Sequence, residues 1–271
     1  MISDVFSGFG NKNLMQITLY YGLMKTKPIP GEPALVLEGQ KKHLVLTDLH
    51  VGFEANLAHN KIFVGKNTTL NESIQKITSL IDAEKPDSLV LLGDVKSGIN
   101  KISKSEWDEI PRLLSALAQK TETILIPGNH DANISYLAPD NITLISSIGM
   151  ILEDTLLTHG HTMPTANFAH ISKLVMGHVH PVFFDEDSIL NGQRVWVSIR
   201  TQKENLFPSE SGELEIIIVP SFNRYFYATK KKAYKKSISP IIEKIKDVSS
   251  AKIVTLDGTI IGDESLLSRV I

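Results

Sequence analysis

The stretch ILIPGNHDANI, at residues 124–134, ends an apolar run in a group of polar side chains. The apolar residues are followed by a Pro-Gly pair, and then Asn129, His130 and Asp131 stand side by side. A short, nearly all-apolar run predicts a strand that is covered on both faces. A turn accounts for the Gly-Asn pair. It does not account for His and Asp, unless their side chains face a ligand.

Similar short apolar runs alternate with helical patterns over the middle of the chain. Apolar residues at helical spacing predict one helix in the stretch 69–85 and another in the stretch 103–120. Pro111 should bend the second helix or mark its first turn. This alternation predicts an α/β domain, with antiparallel or mixed pairing after about residue 140, where the strands come closer together. The strand candidates are 34–37, 43–47, 88–92, 123–126, 154–158, 173–176, 194–199 and 213–219.

The composition excludes several classes of protein. A chain of 271 residues with 42% hydrophobic residues is expected to form a globular core and fits one large α/β domain. The net charge of −2 provides no overall attraction to nucleic acid or anionic membranes. The absence of cysteine excludes disulfides, cysteine zinc sites and thiol nucleophiles. With neither a signal-like N-terminus nor a bilayer-length apolar run, we expect a soluble, cytoplasmic protein.

Groups that bind metals follow five of the strand candidates. Such side chains gather in one crevice when they lie past the carboxyl ends of strands in an α/β sheet. Carboxylate, imidazole and amide groups suit Mn²⁺, Fe²⁺ or Zn²⁺. There are too many of them for one ion, so they favour two ions that share a bridging carboxylate. The stretches are TDLHVG (47–52), LLGDVKSG (91–98), PGNHDA (127–132), LTHGHT (157–162) and MGHVHP (176–181).

The motifs occur in a recognisable order. Asp-x-His, Gly-Asp, Gly-Asn-His-Asp, His and Gly-His-x-His, from Asp48 to His180, resemble the five motifs of the calcineurin-like metallophosphoesterase superfamily. The phrases TDLHVGFE, GDVK, HGHTMP, GHVHP and VPSFN are also similar to a branch of small archaeal and bacterial phosphoesterases that includes DNA-ligase-associated ones. One departure from that branch is Ser97, which follows GDVK where a further His is common.

The resemblance implies a fold, and the length and composition of the chain predict a domain layout. The fold is a four-layer α/β/β/α sandwich, in which two mixed sheets are flanked by helices. We expect a single domain over residues 1–271, with its motif-bearing core at about 34–220. A basic C-terminal extension at about 221–271 would add a helix and a strand.

The resemblance also implies a role for each site residue. His130 would stabilise developing charge or protonate the leaving oxygen, and Asp131 would hold its imidazole in orientation. His161 would contact the substrate, or it would bind the metal in place of His159. The cofactors would be two divalent transition metal ions, Mn²⁺ first, with Fe, Zn, Ni or Co as alternatives, and a hydroxide bridging them would attack phosphorus. The implied ligands are Asp48, His50 and His180 for the first ion, Asp94 as the bridge, and Asn129, His159 and His178 for the second.

Each motif alone also has a structural interpretation. The Gly-Asp pair at 93–94 and the Gly-Asn pair at 128–129 are common in turns, and a lone His at a strand end is more often structural than a ligand. Five such stretches in one order favour the metal site. His43, His59 and His170 lack this support, and we interpret them as structural or surface residues.

Two functions from different classes follow from this pattern. The first is a phosphoesterase acting on a phosphate ester, preferably a phosphodiester of the nucleotide or nucleic-acid type. The alternative is a non-catalytic, metal-binding scaffold with the same fold, which would not need His130. The stretch 222–236 interleaves aromatic and basic residues, as single-stranded nucleic-acid sites do. A solvated basic loop is the preferred interpretation of it. No membrane partner is expected, and the sequence leaves the oligomeric state open.

Overall fold

The computed structural model describes residues 23–53, 68–224 and 239–271. Most of the aromatic and basic stretch predicted at 222–236 lies outside the described residues, as does His59. Within the described part of the chain, no helix combines the length and the apolar character needed to cross a bilayer.

The first sheet is mixed and has the order β1-β2-β3-β4-β5-β6. Strands β3 to β6 run parallel, and β1 and β2 are antiparallel additions at one edge. Helix α1 (Thr68–Glu84) connects β3 to β4, and helix α2 (Lys104–Ala118) connects β4 to β5, as crossovers between parallel strands require. The strands are β1 (Lys25–Pro28), β2 (Leu35–Glu38), β3 (Lys42–Leu46), β4 (Ser88–Leu92), β5 (Glu122–Ile126) and β6 (Ile142–Leu144).

The second sheet is also mixed and has the order β13-β12-β10-β11-β9-β8-β7. Strands β8, β9 and β11 run parallel, and the other pairings are antiparallel. The strands are β7 (Met150–Leu152), β8 (Thr155–Thr158), β9 (Lys173–Met176), β10 (Val195–Gln202), β11 (Glu213–Ile218), β12 (Val248–Thr255) and β13 (Ile260–Gly262). Two of them, β12 and β13, come from the C-terminal extension, and β12 pairs with β10 along most of its length.

Apolar residues divide between the two faces of each strand. On β2, Leu35 and Leu37 point into the layer between the sheets, whereas Val36 points toward the helices. Such alternation follows from the two-residue period of a strand. Leu37 of the first sheet and Trp196 of the second belong to the same buried cluster. The two sheets therefore pack against each other through this layer.

Helices and 3-10 turns form the two outer layers. Helices α1 and α2 cover the first sheet through residues such as Ile77 and Ile110. The second sheet is covered by the short helix α3 (Pro240–Lys244) and by 3-10 turns. The result confirms the four-layer sandwich, although its fourth layer consists of short segments. Among the described residues, the 3-10 turns are Ile134–Tyr136, Ala166–Phe168, Lys203–Asn205 and Glu264–Arg269.

A capping box marks the start of helix α2. Ser103 caps the helix, and its hydroxyl accepts a hydrogen bond from the backbone N–H of Glu106, while the Glu106 carboxylate accepts one from the backbone N–H of Ser103. This reciprocal capping box satisfies N–H groups that a helix start leaves unpaired. Pro111 therefore lies inside the helix, and the expectation that it marks the first turn is wrong.

Burial of apolar side chains in the layer between the sheets is expected to stabilise the fold. Leu37 is fully buried there, whereas Leu23 is 73% exposed. We expect Leu37→Ala to lower the free energy of unfolding by about 2–5 kcal/mol because it leaves a cavity. The matched change Leu23→Ala should alter it by less than about 0.5 kcal/mol. Urea unfolding of both variants measures the difference, and equal effects would contradict the inter-sheet position of Leu37.

Candidate metal centre

The predicted site residues lie in loops at one edge of the two sheets. The loops after β3 and β4 are adjacent because these strands pair in parallel. The backbone N–H of Asp48 donates to the carbonyl of Gly93 at 3.1 Å, and that of His50 donates to the carbonyl of Asp94 at 2.9 Å. From the second sheet, the backbone N–H of His178 donates to Asp48 Oδ2 at 3.1 Å. Loops from both sheets therefore meet at the Asp48 carboxylate.

Six of the predicted ligands form two clusters that share one carboxylate. In each cluster the ligand atoms lie within 4.8 Å of one another. Asp94 belongs to both, which is the arrangement that two ions with a bridging carboxylate require. The first cluster contains Asp48, His50, Asp94 and His180, and the second contains Asp94, His159 and His178.

The seventh predicted ligand, Asn129, lies between two residues that approach Asp94. The backbone N–H of His130 donates to Asp94 Oδ1 at 2.8 Å. The Oδ1 atom of Asn129 is buried, and it accepts no hydrogen bond from any residue that the structure describes. Such an unsatisfied oxygen is costly unless it binds something else. Together with imidazole and carboxylate groups, it forms a donor set that fits divalent transition metals.

The electrostatics of the clusters favour bound cations. Burial alone would raise the pKa of Asp48, but the neighbouring imidazoles, with His180 first, hold it below its usual range. Burial and His180 lower the pKa of His50 to about 3, so this imidazole is neutral, as a ligand must be. Burial opposes the charge on His159, yet the Asp94 and Asp48 carboxylates raise its pKa to about 9. Two buried carboxylates thus draw positive charge into the site.

Five of the clustered residues have a left-handed backbone. Non-glycine residues seldom adopt it, at a cost of roughly 1–3 kcal/mol each, and they concentrate at functional sites. The φ angles are 56° for Asp48, 45° for His50, 50° for Asp94, 67° for His178 and 48° for His180. Each of the three loops that carry these residues therefore needs contacts that maintain its conformation.

The segment after β11 supplies such contacts to the first loop. Ser221 Oγ donates to the Asp48 carbonyl at 3.0 Å, and Asn223 Nδ2 donates to the Leu49 carbonyl at 3.0 Å. The backbone N–H of Asn223 also donates to the Asp48 carbonyl, at 3.1 Å. Neither side chain was predicted to have a role, although the phrase VPSFN contains both.

The structure corrects the role predicted for Asp131. Its buried carboxylate accepts three backbone hydrogen bonds, which join the loop after β5 to the loop after β4. The imidazole of His130 instead donates from Nδ1 to the carbonyl of Ser97, at 2.6 Å. The prediction that Asp131 holds the imidazole is wrong because the Asp131 oxygens are directed to backbone N–H groups. Their donors are Val95, Lys96 and Gly128, at 2.9, 3.1 and 2.9 Å.

The remaining histidines occupy distinct places. His159 is fully buried, donates from Nδ1 to the Leu92 carbonyl at 2.8 Å, and points Nε2 at Asp94 Oδ2, 3.3 Å away. His161 lies beside it, with the ring centroids 5.3 Å apart, outside the two clusters. His43 is buried against Ser88 and His170 is exposed on the surface, and neither joins a cluster of the described residues.

Comparison with known proteins identifies the family. The model of the family described as calcineurin-like phosphoesterase matches residues 41–221. The chain belongs to this family. It is accordingly a metal-dependent hydrolase of phosphate esters, and the resemblance of its motifs to this superfamily is confirmed. A search of curated proteins finds no match.

Two solved structures are similar to the chain at low identity. The nuclease MPE of Pseudomonas putida is 15% identical, with 86% of this chain and 98% of that chain covered and a TM-score of 0.49. Yfce, a phosphoesterase from E. coli, is 16% identical, with 83% and 98% covered and a TM-score of 0.39. The family assignment rests on the sequence match.

The close approach of the loops predicts the effect of a small substitution. A Cβ at position 128 would overlap the Asp94 carboxylate and the Asp94 backbone N–H. We therefore expect Gly128→Ala to displace Asp94 and to reduce the metal content of the purified protein by at least half. Metal analysis by mass spectrometry measures this, with Ala132→Ser, an exposed change in the same loop, as the control. Full metal content in Gly128→Ala would contradict the proposed position of Asp94.

Proposed function

We propose that the chain hydrolyses phosphodiesters with the aid of two divalent metal ions bound by the two clusters. The observation that supports this most strongly is the presence of Asp94 in both clusters. The buried, unsatisfied oxygen of Asn129 adds a further ligand. The first ion would be held by Asp48, His50, Asp94 and His180, and the second by Asp94, Asn129, His159 and His178.

The side chains around the clusters have separate tasks. Bound ions of this kind supply a water of lowered pKa and neutralise charge on the phosphoryl oxygens. His130 is not a ligand in this proposal, because it belongs to neither cluster and its Nδ1 donates to the Ser97 carbonyl. Its side chain is 16% exposed. In the imidazolium form, which carries a hydrogen on both nitrogens, Nε2 would donate a hydrogen bond to a phosphoryl oxygen or a proton to the leaving oxygen. His161, beside the second cluster, would contact the substrate.

A cleft beside the loop after β3 supports a phosphodiester rather than a monoester as the substrate. Leu49 and Val51, the chain neighbours of His50, form part of its apolar wall. Apolar and cationic surface in this cleft, beside the loop that carries Asp48 and His50, would bind the second substituent of a phosphodiester, such as a nucleoside. The other lining residues include Leu70, Phe222, Lys76, Arg194 and Arg224, with the carboxylates of Glu72 and Glu109.

The metal and the location are proposed from the sequence. Mn²⁺ suits a mixed set of carboxylate, imidazole and amide ligands, with Fe, Zn, Ni or Co as alternatives. A cytoplasmic location agrees with the absence of cysteine.

Hydrolysis of two chromogenic esters tests the proposal. Metal-stripped protein is reloaded with Mn²⁺ and assayed with bis-p-nitrophenyl phosphate and p-nitrophenyl phosphate. We expect the diester to be cleaved faster than the monoester and both activities to disappear with EDTA. Faster cleavage of the monoester would overturn the diester preference. Protein that binds two metals but cleaves neither ester would favour the scaffold alternative.

Two substitutions separate metal binding from turnover. His130→Ala should retain both metals and lower kcat by about 10²–10⁴-fold, because it removes a donor to the reacting phosphate. Asp94→Asn should lose metal and activity together, because the amide cannot bridge two cations as a carboxylate does. Metal analysis and the diester assay measure both, with His170→Ala as an exposed control. Full activity in His130→Ala would contradict the role proposed for His130.

A further inference from the structure

We infer that Glu106 is a positioning residue for His130 and acts through the peptide unit between Ser97 and Gly98. The inference rests on the proposed function of His130. Glu106 thus takes the part that the sequence reasoning gave to Asp131, although no atom of Glu106 has to contact the imidazole.

A single peptide unit connects the two side chains. Its N–H belongs to Gly98 and donates to Glu106 Oε1 at 2.7 Å. Its carbonyl oxygen belongs to Ser97 and accepts from His130 Nδ1 at 2.6 Å. A carbonyl can only accept a hydrogen bond, so Nδ1 of His130 carries a hydrogen and Nε2 is the atom that faces the clusters.

The carboxylate should strengthen the bond to the imidazole. Hydrogen bonds in a chain polarise one another. A carboxylate that accepts from the N–H of a peptide unit makes the carbonyl oxygen of that unit more negative. Metal-site histidines usually donate directly to a carboxylate or carbonyl, which sets the ring orientation and tautomer. Here the carboxylate of Glu106 acts on His130 in the same way, but one peptide unit away.

Helix capping accounts for only half of the contacts of Glu106. Its Oε2 accepts from the backbone N–H of Ser103 at 2.7 Å, which is the capping-box contact. Its Oε1 is not needed for the cap and is directed to Gly98 in the loop. Glu106 is only 1% exposed, although it lies in the first turn of a helix. A buried carboxylate that divides its oxygens between a helix and a loop has a task beyond capping.

The loop is shaped so that Glu106 can reach this peptide. A Cβ on Gly98 would lie 2.8 Å from the Lys101 carbonyl and 3.2 Å from both carboxylate oxygens of Glu106. Lys96, which is fully buried, donates from Nζ to the carbonyls of Gly98 and Ile99. The peptide units on either side of Gly98 are therefore held by opposite charges, Glu106 on one and Lys96 on the other.

Nuclear magnetic resonance of the imidazole tests the relay without an activity assay. In protein loaded with Zn²⁺, the ring-proton signal of His130 Nδ1 is assigned by its loss in His130→Ala. We expect Glu106→Ala to move this signal toward that of an unbonded imidazole and to speed its exchange with water. Ser103→Ala, which removes the side-chain half of the capping box but leaves the bond from Gly98 to Glu106, should not. An unchanged signal in Glu106→Ala would overturn the inference.

A double-mutant cycle then tests the effect on turnover. With Mn²⁺ and bis-p-nitrophenyl phosphate, Glu106→Ala should lower kcat by about 10–100-fold, less than His130→Ala does, because the imidazole itself remains. In the His130→Ala background the same change should have less than about a twofold effect. Equal losses in both backgrounds would show a general structural role and overturn the inference. Metal content is measured in parallel and should stay the same.

Glu106→Gln guards against a variant that fails to fold. Its amide oxygen can still accept from Gly98, but it lacks the negative charge, so its kcat should lie between those of wild type and Glu106→Ala. A kcat equal to wild type, with the ring signal unchanged, would overturn the inference. If the wild type cleaves neither ester, the proposed function fails, whereas the ring signals still decide whether Glu106 positions His130.

Discussion

The carboxylate of Asp94 is the group around which the site is organised. It is 2% exposed and lies near the imidazoles of His159, His50 and His130, with Nε2 to Oδ2 distances of 3.3, 3.9 and 3.8 Å. A buried carboxylate is unfavourable unless positive charge or hydrogen bonds compensate for it. Asp48 is a second fully buried carboxylate in the same site, and it needs such compensation as well. The loops from both sheets supply imidazoles that compensate for this charge, in an arrangement that could hold metal ions.

Packing between the two sheets offsets the cost of burying these charged groups. The parallel strands of the first sheet end at one edge, and those of the second sheet bring His159 and His178 to the same place. Apolar residues between the sheets lock the two edges together. This packing offsets the cost of the left-handed residues in the loops, a cost that functional sites commonly carry.

Around the clusters, hydrogen bonds to backbone N–H and carbonyl groups hold the side chains and loops in position. Asp131 joins two loops through backbone N–H groups, and His130 is oriented by the carbonyl of Ser97. Glu106, at the start of α2, reaches the same peptide from its other side. The Ser-x-x-Glu pattern at 103–106 is visible in the sequence as a helix cap. Nothing in that pattern shows that the second carboxylate oxygen faces the loop.

Local patterns in the chain were sufficient to predict most strands, both long helices and the ligand types that the structure brings into the two clusters. These features depend on residues close in sequence, through the two-residue period of strands, the spacing of helices and the order of motifs. The tertiary structure alone decided that β12 pairs inside the second sheet, that Asp131 binds backbone N–H groups and that Glu106 faces the Ser97–Gly98 peptide. Each of these depends on which distant group a strand or oxygen meets after folding, and a linear pattern does not specify that partner.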